Sequence, residues 1–161
     1  KSIKEKAEEN ERKNEEYVDP MRENPIYTVT PPDMLLPDNG PIISVLSNDD
    51  NFLHDVELLY ENLFKTVPIT LCHPNGKIDD KNLAWIVSMM RFSDTVYVDL
   101  DNISELGIAC VLTQESDNFV LISNTNKRKG MKQLLNTMRK FNIYESVEDY
   151  SEIMLDSLET V

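Results

Sequence analysis

Basic charge is what this sequence most lacks: 16 Lys and Arg stand against 29 Asp and Glu, a formal net charge of −13. Without a basic stripe there is nothing to release counterions from a phosphate backbone, so nucleic acid and anionic membrane are excluded as expected partners. Cysteine is nearly absent. Cys72 and Cys110 each lie inside an apolar run, which favours buried thiols over a disulfide framework or a metal site and points to a reducing cytoplasm. Histidine occurs twice, and neither His54 nor His73 has a partner His or Cys at ligand spacing, so no metal and no cofactor is called for. No apolar run approaches the roughly 20 residues of a membrane span, and the charged amino end does not read as an export signal. The expectation is a soluble chain of 161 residues, long enough to bury its own core.

Three regions differ in composition. Residues 1–24 are rich in Lys, Glu and Asn with scattered apolar positions such as Ile3, Ala7, Tyr17 and Val18, which is the pattern of a solvated helix. Glu8 with Arg12 and Glu9 with Lys13 have the i,i+4 spacing that supports one. Residues 25–41 carry five prolines and read as an extended arm. Ile26, Tyr27, Val29, Met34, Leu35 and Leu36 make that arm too apolar to float in water, so it packs on its own domain or docks on another chain.

Residues 42–161 alternate strand and helix five times. "PIISVLS", "VPITLC", "TVYVDL", "NFVLIS" and the shorter "IYESV" read as strands. Between them, Phe52, Val56, Leu59 and Leu63 stripe one helix, Leu83, Val87 and Met90 a second, and Met131, Leu134, Leu135 and Met138 a later one. Tyr150, Met154 and Leu158 fit a closing helix. Parallel strands need crossover connections, so the fold class is α/β, a three-layer doubly wound sheet of about five parallel strands with an N-terminal arm.

Ligands of such sheets bind beyond the carboxyl ends of the strands, which directs attention to Ser47–Asp50, His73, Asp99–Glu105 and Ser123–Asn126. The densest of these is "DTVYVDLDNISELGIACVL". Asp99 ends a strand, Ser104 is a candidate helix cap, and Glu105 falls in the first helical turn, where a carboxylate suits the helix dipole. "CHPNGKID" reads as a turn, with Asn75 and Gly76 supplying its backbone angles. "NTNKRKGMK", residues 124–132, is the basic cluster of the acidic body, either an anion-binding helix start or a solvated turn.

The order "DTVYVDLD", a short polar turn, then "SELGIA" resembles nucleoside 2-deoxyribosyltransferases and their N-glycosidase relatives, over roughly Pro41 to Val147. The resemblance implies a five-stranded doubly wound sheet with a catalytic Glu at the start of the helix. It would make Glu105 the nucleophile at the anomeric carbon of a nucleoside or nucleotide. Asp99 and Asp101 would orient the sugar or manage the proton of the leaving base, with Ser47, Asn48, Ser104 and Asn124 on the substrate-binding rim. It also implies a homo-oligomer.

Two other readings stand beside it. Asp49 and Asp50 with Asp99 resemble the acidic pocket of a response-regulator receiver, but "IYESVEDY" lacks the Lys that ends a receiver's fifth strand. A non-catalytic Rossmann-like body attached to a partner protein through its arm is the alternative from a different class. Few glycines, abundant Asn and the long arm give the composition the look of a virus-encoded protein, placed in the host cytoplasm or the virion.

Overall fold

The structure, a computed structural model, describes residues 3, 26–34, 40–64, 67–138 and 141–159, with side chains of the last helix described to Asp156. The solvated-helix expectation for residues 1–24 lies outside the described residues, except that Ile3 is buried in the core. Strands β1 (Ile26–Val29), β2 (Ile42–Leu46), β3 (Ile69–Cys72), β4 (Thr95–Asp99), β5 (Phe119–Ile122) and β6 (Ile143–Tyr144) form one sheet. Five helices are described: α1 (Asp50–Leu63), α2 (Leu83–Phe92), α3 (Glu105–Leu112), α4 (Lys129–Thr137) and α5 (Val147–Glu159).

The sheet has six strands in the order β1-β3-β2-β4-β5-β6, and every pairing is parallel. Strands buried on both faces read as continuous apolar runs rather than as alternation, which is why "ITLC" and "FVLI" are buried at every position. On one face α1 and α5 cover Ile43, Val45, Leu71, Tyr97 and Val120. On the other, α2, α3 and α4 cover Leu46, Val96, Val98 and Leu121. The result is the three-layer arrangement of a doubly wound fold.

The sixth strand is the departure from the five expected. Ile26–Val29 lies within the proline-rich stretch and pairs in register with β3, Ile26 opposite Ile69 and Val29 opposite Cys72. An edge strand has only one neighbour, so prolines on either side of it interrupt no ladder. The stretch is tied down again at Asp33, whose carbonyl accepts a hydrogen bond from the Trp85 indole Nε1 at 2.6 Å. A second departure is on α4: of its apolar stripe Leu135 is buried, but Leu134 is 52% exposed.

Several polar groups inside the layers are paired, whereas the buried Thr70 hydroxyl on β3 has no hydrogen-bond partner among the described residues. The Tyr60 and Tyr97 hydroxyls hydrogen-bond at 2.7 Å, and Tyr150 meets the Tyr97 ring edge-on. Burial pushes the Tyr60 phenol up to about 12, against the milder opposite effect of its bond to Tyr97. Cys72 and Cys110 are free, buried thiols, with Cys72 pushed up to about 12 by burial. No helix among the described residues is long and apolar enough to cross a membrane.

Gly40 leads the chain into β2 at φ +82°, and a Cβ there would lie 1.8 Å from the Pro68 carbonyl oxygen. Gly40→Ala therefore meets both a strained backbone and a backbone clash. It is expected to lower stability by about 2 to 4 kcal/mol, measured by urea unfolding. A loss below about 0.5 kcal/mol, the size of an ordinary surface change, would contradict the close approach.

Candidate functional site

In the strand order, β2 continues to β3 on one side while β4 lies on its other side. The chain thus reverses its direction of winding between β2 and β4, and the carboxyl ends of the strands flanking such a reversal are where doubly wound sheets form their ligand crevice. All seven residues singled out in the sequence lie at this edge: Ser47 and Asn48 after β2, Asp99 at the end of β4, Asp101, Ser104 and Glu105 after it, and Asn124 after β5.

Asp99 is only 4% exposed. Its Oδ2 accepts hydrogen bonds from Ser47 Oγ at 2.7 Å and Asn102 Nδ2 at 2.9 Å, and its Oδ1 one from the Asp101 amide at 3.3 Å. Burial raises its carboxyl above the usual carboxylate range; these three bonds oppose the rise without cancelling it. Through Asp99 the loop after β2 and the turn after β4 become one unit, reinforced by the Asn48 amide donating to the Asn102 carbonyl at 2.9 Å.

Asp101 does the same for the next strand. Its Oδ1 accepts from Ser123 Oγ at 2.7 Å and Thr125 Oγ1 at 2.8 Å, and its Oδ2 from the Asn124 amide at 2.9 Å. Partial burial pushes this carboxyl up, but the three bonds and the charge of Lys132 outweigh it, so Asp101 is held below its ordinary value.

Ser104 caps α3, accepting from the Gly107 amide at 3.2 Å, an arrangement worth about 0.5 to 2 kcal/mol. Gly107 lets the helix start sit against its neighbours. A Cβ there would be 2.5 Å from Ile103 Cγ1 and 2.8 Å from Ile78 Cδ1. The cap and the close approach aim the first turn of α3 outward at the crevice rim. There the Glu105 side chain is 86% exposed, its Oε1 3.0 Å from Nη1 of Arg128, which is 20% exposed. Arg128 Nη2 also donates to the Ile103 carbonyl. No described hydrogen bond joins Glu105 to Asp99 or Asp101.

Other rim candidates have structural explanations. Asp49 caps α1, its Oδ1 accepting from the Asn51 amide at 2.9 Å, and Asp50 lies in that helix's first turn. His73 Nδ1 accepts from the Asn75 amide at 3.2 Å in a turn where Asn75 and Gly76 both have positive φ. Burial lowers the His73 imidazole below its ordinary value, with Asp50 pulling the other way. Trp85, Met89 and Met90 are buried core.

Sequence reasoning placed Asn102, Ser123 and Thr125 at the strand ends but did not see them as the partners of the acids. Asn102 serves Asp99 from three residues away in the same turn, but Ser123 and Thr125 serve Asp101 and Arg128 serves Glu105 across separations of 22 to 24 residues that leave no local pattern. The basic run that contains Arg128 was the one available signal.

The depressed Asp101 carboxyl sets a pH dependence. The native state favours its charged form, so its contribution is complete above the unfolded value of about 4 and is lost as pH falls through the lower native value. Asp101→Asn should therefore be less stable than the parent at neutral pH, with the gap narrowing in acid. Urea unfolding at neutral and acid pH measures this; a gap that stays constant down to about pH 3 would show that Asp101 gains nothing from its charge. Comparison with family models, with curated proteins and with solved structures found no match to this chain, so its own residues and geometry carry the functional reading.

Proposed function

We propose that the protein cleaves or transfers at the N-glycosidic bond of a nucleoside or nucleotide, with Glu105 as nucleophile. The observation that carries this is the contrast among the three acids. Asp99 and Asp101 have their carboxylates occupied by donors from the surrounding loops, whereas Glu105 presents an 86% exposed carboxylate at a capped helix start on the crevice rim. Its Oε1 lies 3.0 Å from Arg128 Nη1, which fixes where the carboxylate points on the rim.

The chemistry runs in two steps. A Glu105 oxygen bonds the anomeric carbon as the C–N bond breaks, and the bonding pair leaves with the base nitrogen, which takes up a proton. That proton comes from solvent water, since both Asp99 oxygens already accept hydrogen bonds from Ser47, Asn102 and the Asp101 amide and Asp99 serves to fix the loops around the sugar. The glycosyl ester on Glu105 then opens by attack of water, giving hydrolysis, or of a second base, giving transfer. Asp101 holds the β5 loop beside the reacting carboxylate.

Glu105→Ala should abolish base release, a loss of about a thousandfold or more in kcat. Because the side chain is so exposed, its stability effect should stay within about 0.5 kcal/mol. Chromatography of free base from a panel of deoxynucleosides, nucleotides and NAD, with and without a second base as acceptor, measures it. A folded Glu105→Ala protein that still releases base at the parent rate would sink the assignment. The alternative, a non-catalytic body attaching through its arm, is tested by removing residues 1–24, with urea unfolding run beside the binding assay because Ile3 belongs to the core. A deletion to Gly40 would also strip β1 from the sheet and confuse attachment with folding.

A further inference from the structure

Charge is shared unevenly among the helices. α1 and α5 together carry nine Asp and Glu and no Lys or Arg, so this one pair accounts for most of the net charge of −13. The two helices lie side by side on one face of the sheet. Acidic surface alone names no partner, but here it surrounds a cleft.

Between the helices runs a groove of about 370 Å³. Leu58, Leu59 and Leu63 line it from α1, and Val147 and Leu155 from α5. Leu58 lies outside the stripe of Phe52, Val56, Leu59 and Tyr60 that α1 buries. It and Leu155 are each 40% exposed, so both walls keep apolar surface in water. The charged residues of the lining are Asp55 and Glu148, both acidic and both exposed.

Length, apolarity and charge together select an occupant. The α1 wall runs from Asp55 to Leu63, about 12 Å or two helical turns. The cleft between two packed helices receives the ridge of a third, and leucines on both walls call for apolar side chains at i, i+3 or i+4 and i+7. The acids around them call for Lys or Arg on the flanks of that stripe, since an acidic helix would be repelled. The chain's own amino end does not fit. Residues 1–24 hold eight Asp and Glu against six Lys and Arg, and Ile3 packs in the core on the opposite face of the sheet. The basic run at the start of α4 fits no better, because Arg128 is engaged by Glu105 and Lys132 by the Thr125 carbonyl of their own chain.

We propose that the α1–α5 groove is the docking site for a cationic amphipathic helix of a partner protein, whose apolar stripe covers Leu58 and Leu155 while its flanking cations face Asp55 and Glu148. The groove shares no residue with the rim around Glu105, so docking does not depend on the glycosidic reading.

The experiment titrates the full chain, followed by amide NMR, with three synthetic peptides: a helix-forming one with leucines at i, i+4 and i+7 and lysines on both flanks, the same residues in scrambled order, and a version with Glu in place of Lys. The Leu58→Gln/Leu155→Gln variant, changed at two exposed positions, and the Asp55→Asn/Glu148→Gln variant are titrated beside it. The cationic peptide should give saturable shifts that map to α1 and α5, with a Kd at least about tenfold below that of either control. The leucine variant should weaken this binding at least about tenfold, and the carboxylate variant should flatten its dependence on salt. No saturable binding, shifts centred elsewhere, equal binding of the scrambled peptide, or unchanged affinity in a folded leucine variant overturns the proposal. Sedimentation and removal of residues 1–24 test the other occupants. A parent dimer that the leucine variant converts to monomer gives the groove to a second copy, and a peptide that binds only after the removal gives it to the chain's own arm; either result overturns the assignment.

Discussion

A carboxylate almost removed from water must be supplied with donors, and the carboxyl edge of this protein is organised around one that is. Asp99 at the end of β4 draws the Ser47 hydroxyl across from β2 and the Asn102 amide back from the following turn. Breaking such a set leaves a buried charge unpaired, which costs several kcal/mol more than the bonds contribute net. The crevice at the switch point therefore has a fixed floor. Asp101 extends the same arrangement one strand further, so three consecutive loops are joined by two side chains only two residues apart.

The floor being fixed by acids whose oxygens are occupied, the reactive capacity of the edge passes to its rim. Glu105 and Arg128 are held there by backbone features rather than by burial: the Ser104 cap, the close approach at Gly107 and the Ile103 carbonyl that orients the guanidinium. An exposed ion pair of this kind is worth about 0 to 1 kcal/mol. It adds little to folding and can exchange partners easily when an anionic group arrives.

The alternation of strand and helix was legible because a sheet covered on both faces needs apolar runs, and helices covering it need apolar stripes. The runs from Ile42 to Ile122 and the stripe of α1 carry that signal directly. β1 was not legible as a strand, since Pro25, Pro31 and Pro32 crowd a segment of four residues and an edge position tolerates them. Leu134 shows the opposite error, an apolar residue in phase with its stripe yet turned to solvent. For the candidate site, the rule that ligands gather at carboxyl ends located the edge and named its acids. It could not reveal that Asp99 and Asp101 bridge loops or that Glu105 meets Arg128, because those pairings exist only after distant segments are brought together.

β1 also bears on the order in which the chain is assembled. Among the described residues its one neighbour in the sheet is β3, reached in register by Ile26 opposite Ile69. During synthesis from the amino end, β1 cannot pair with β3 until residues through Cys72 have emerged, and β3 also pairs with β2. β1, made before β3, thus waits for its place in the sheet. Until it docks, the edge of β3 stands open to strands of other nascent chains, and the prolines around β1 keep the waiting segment from offering a long pairing surface of its own.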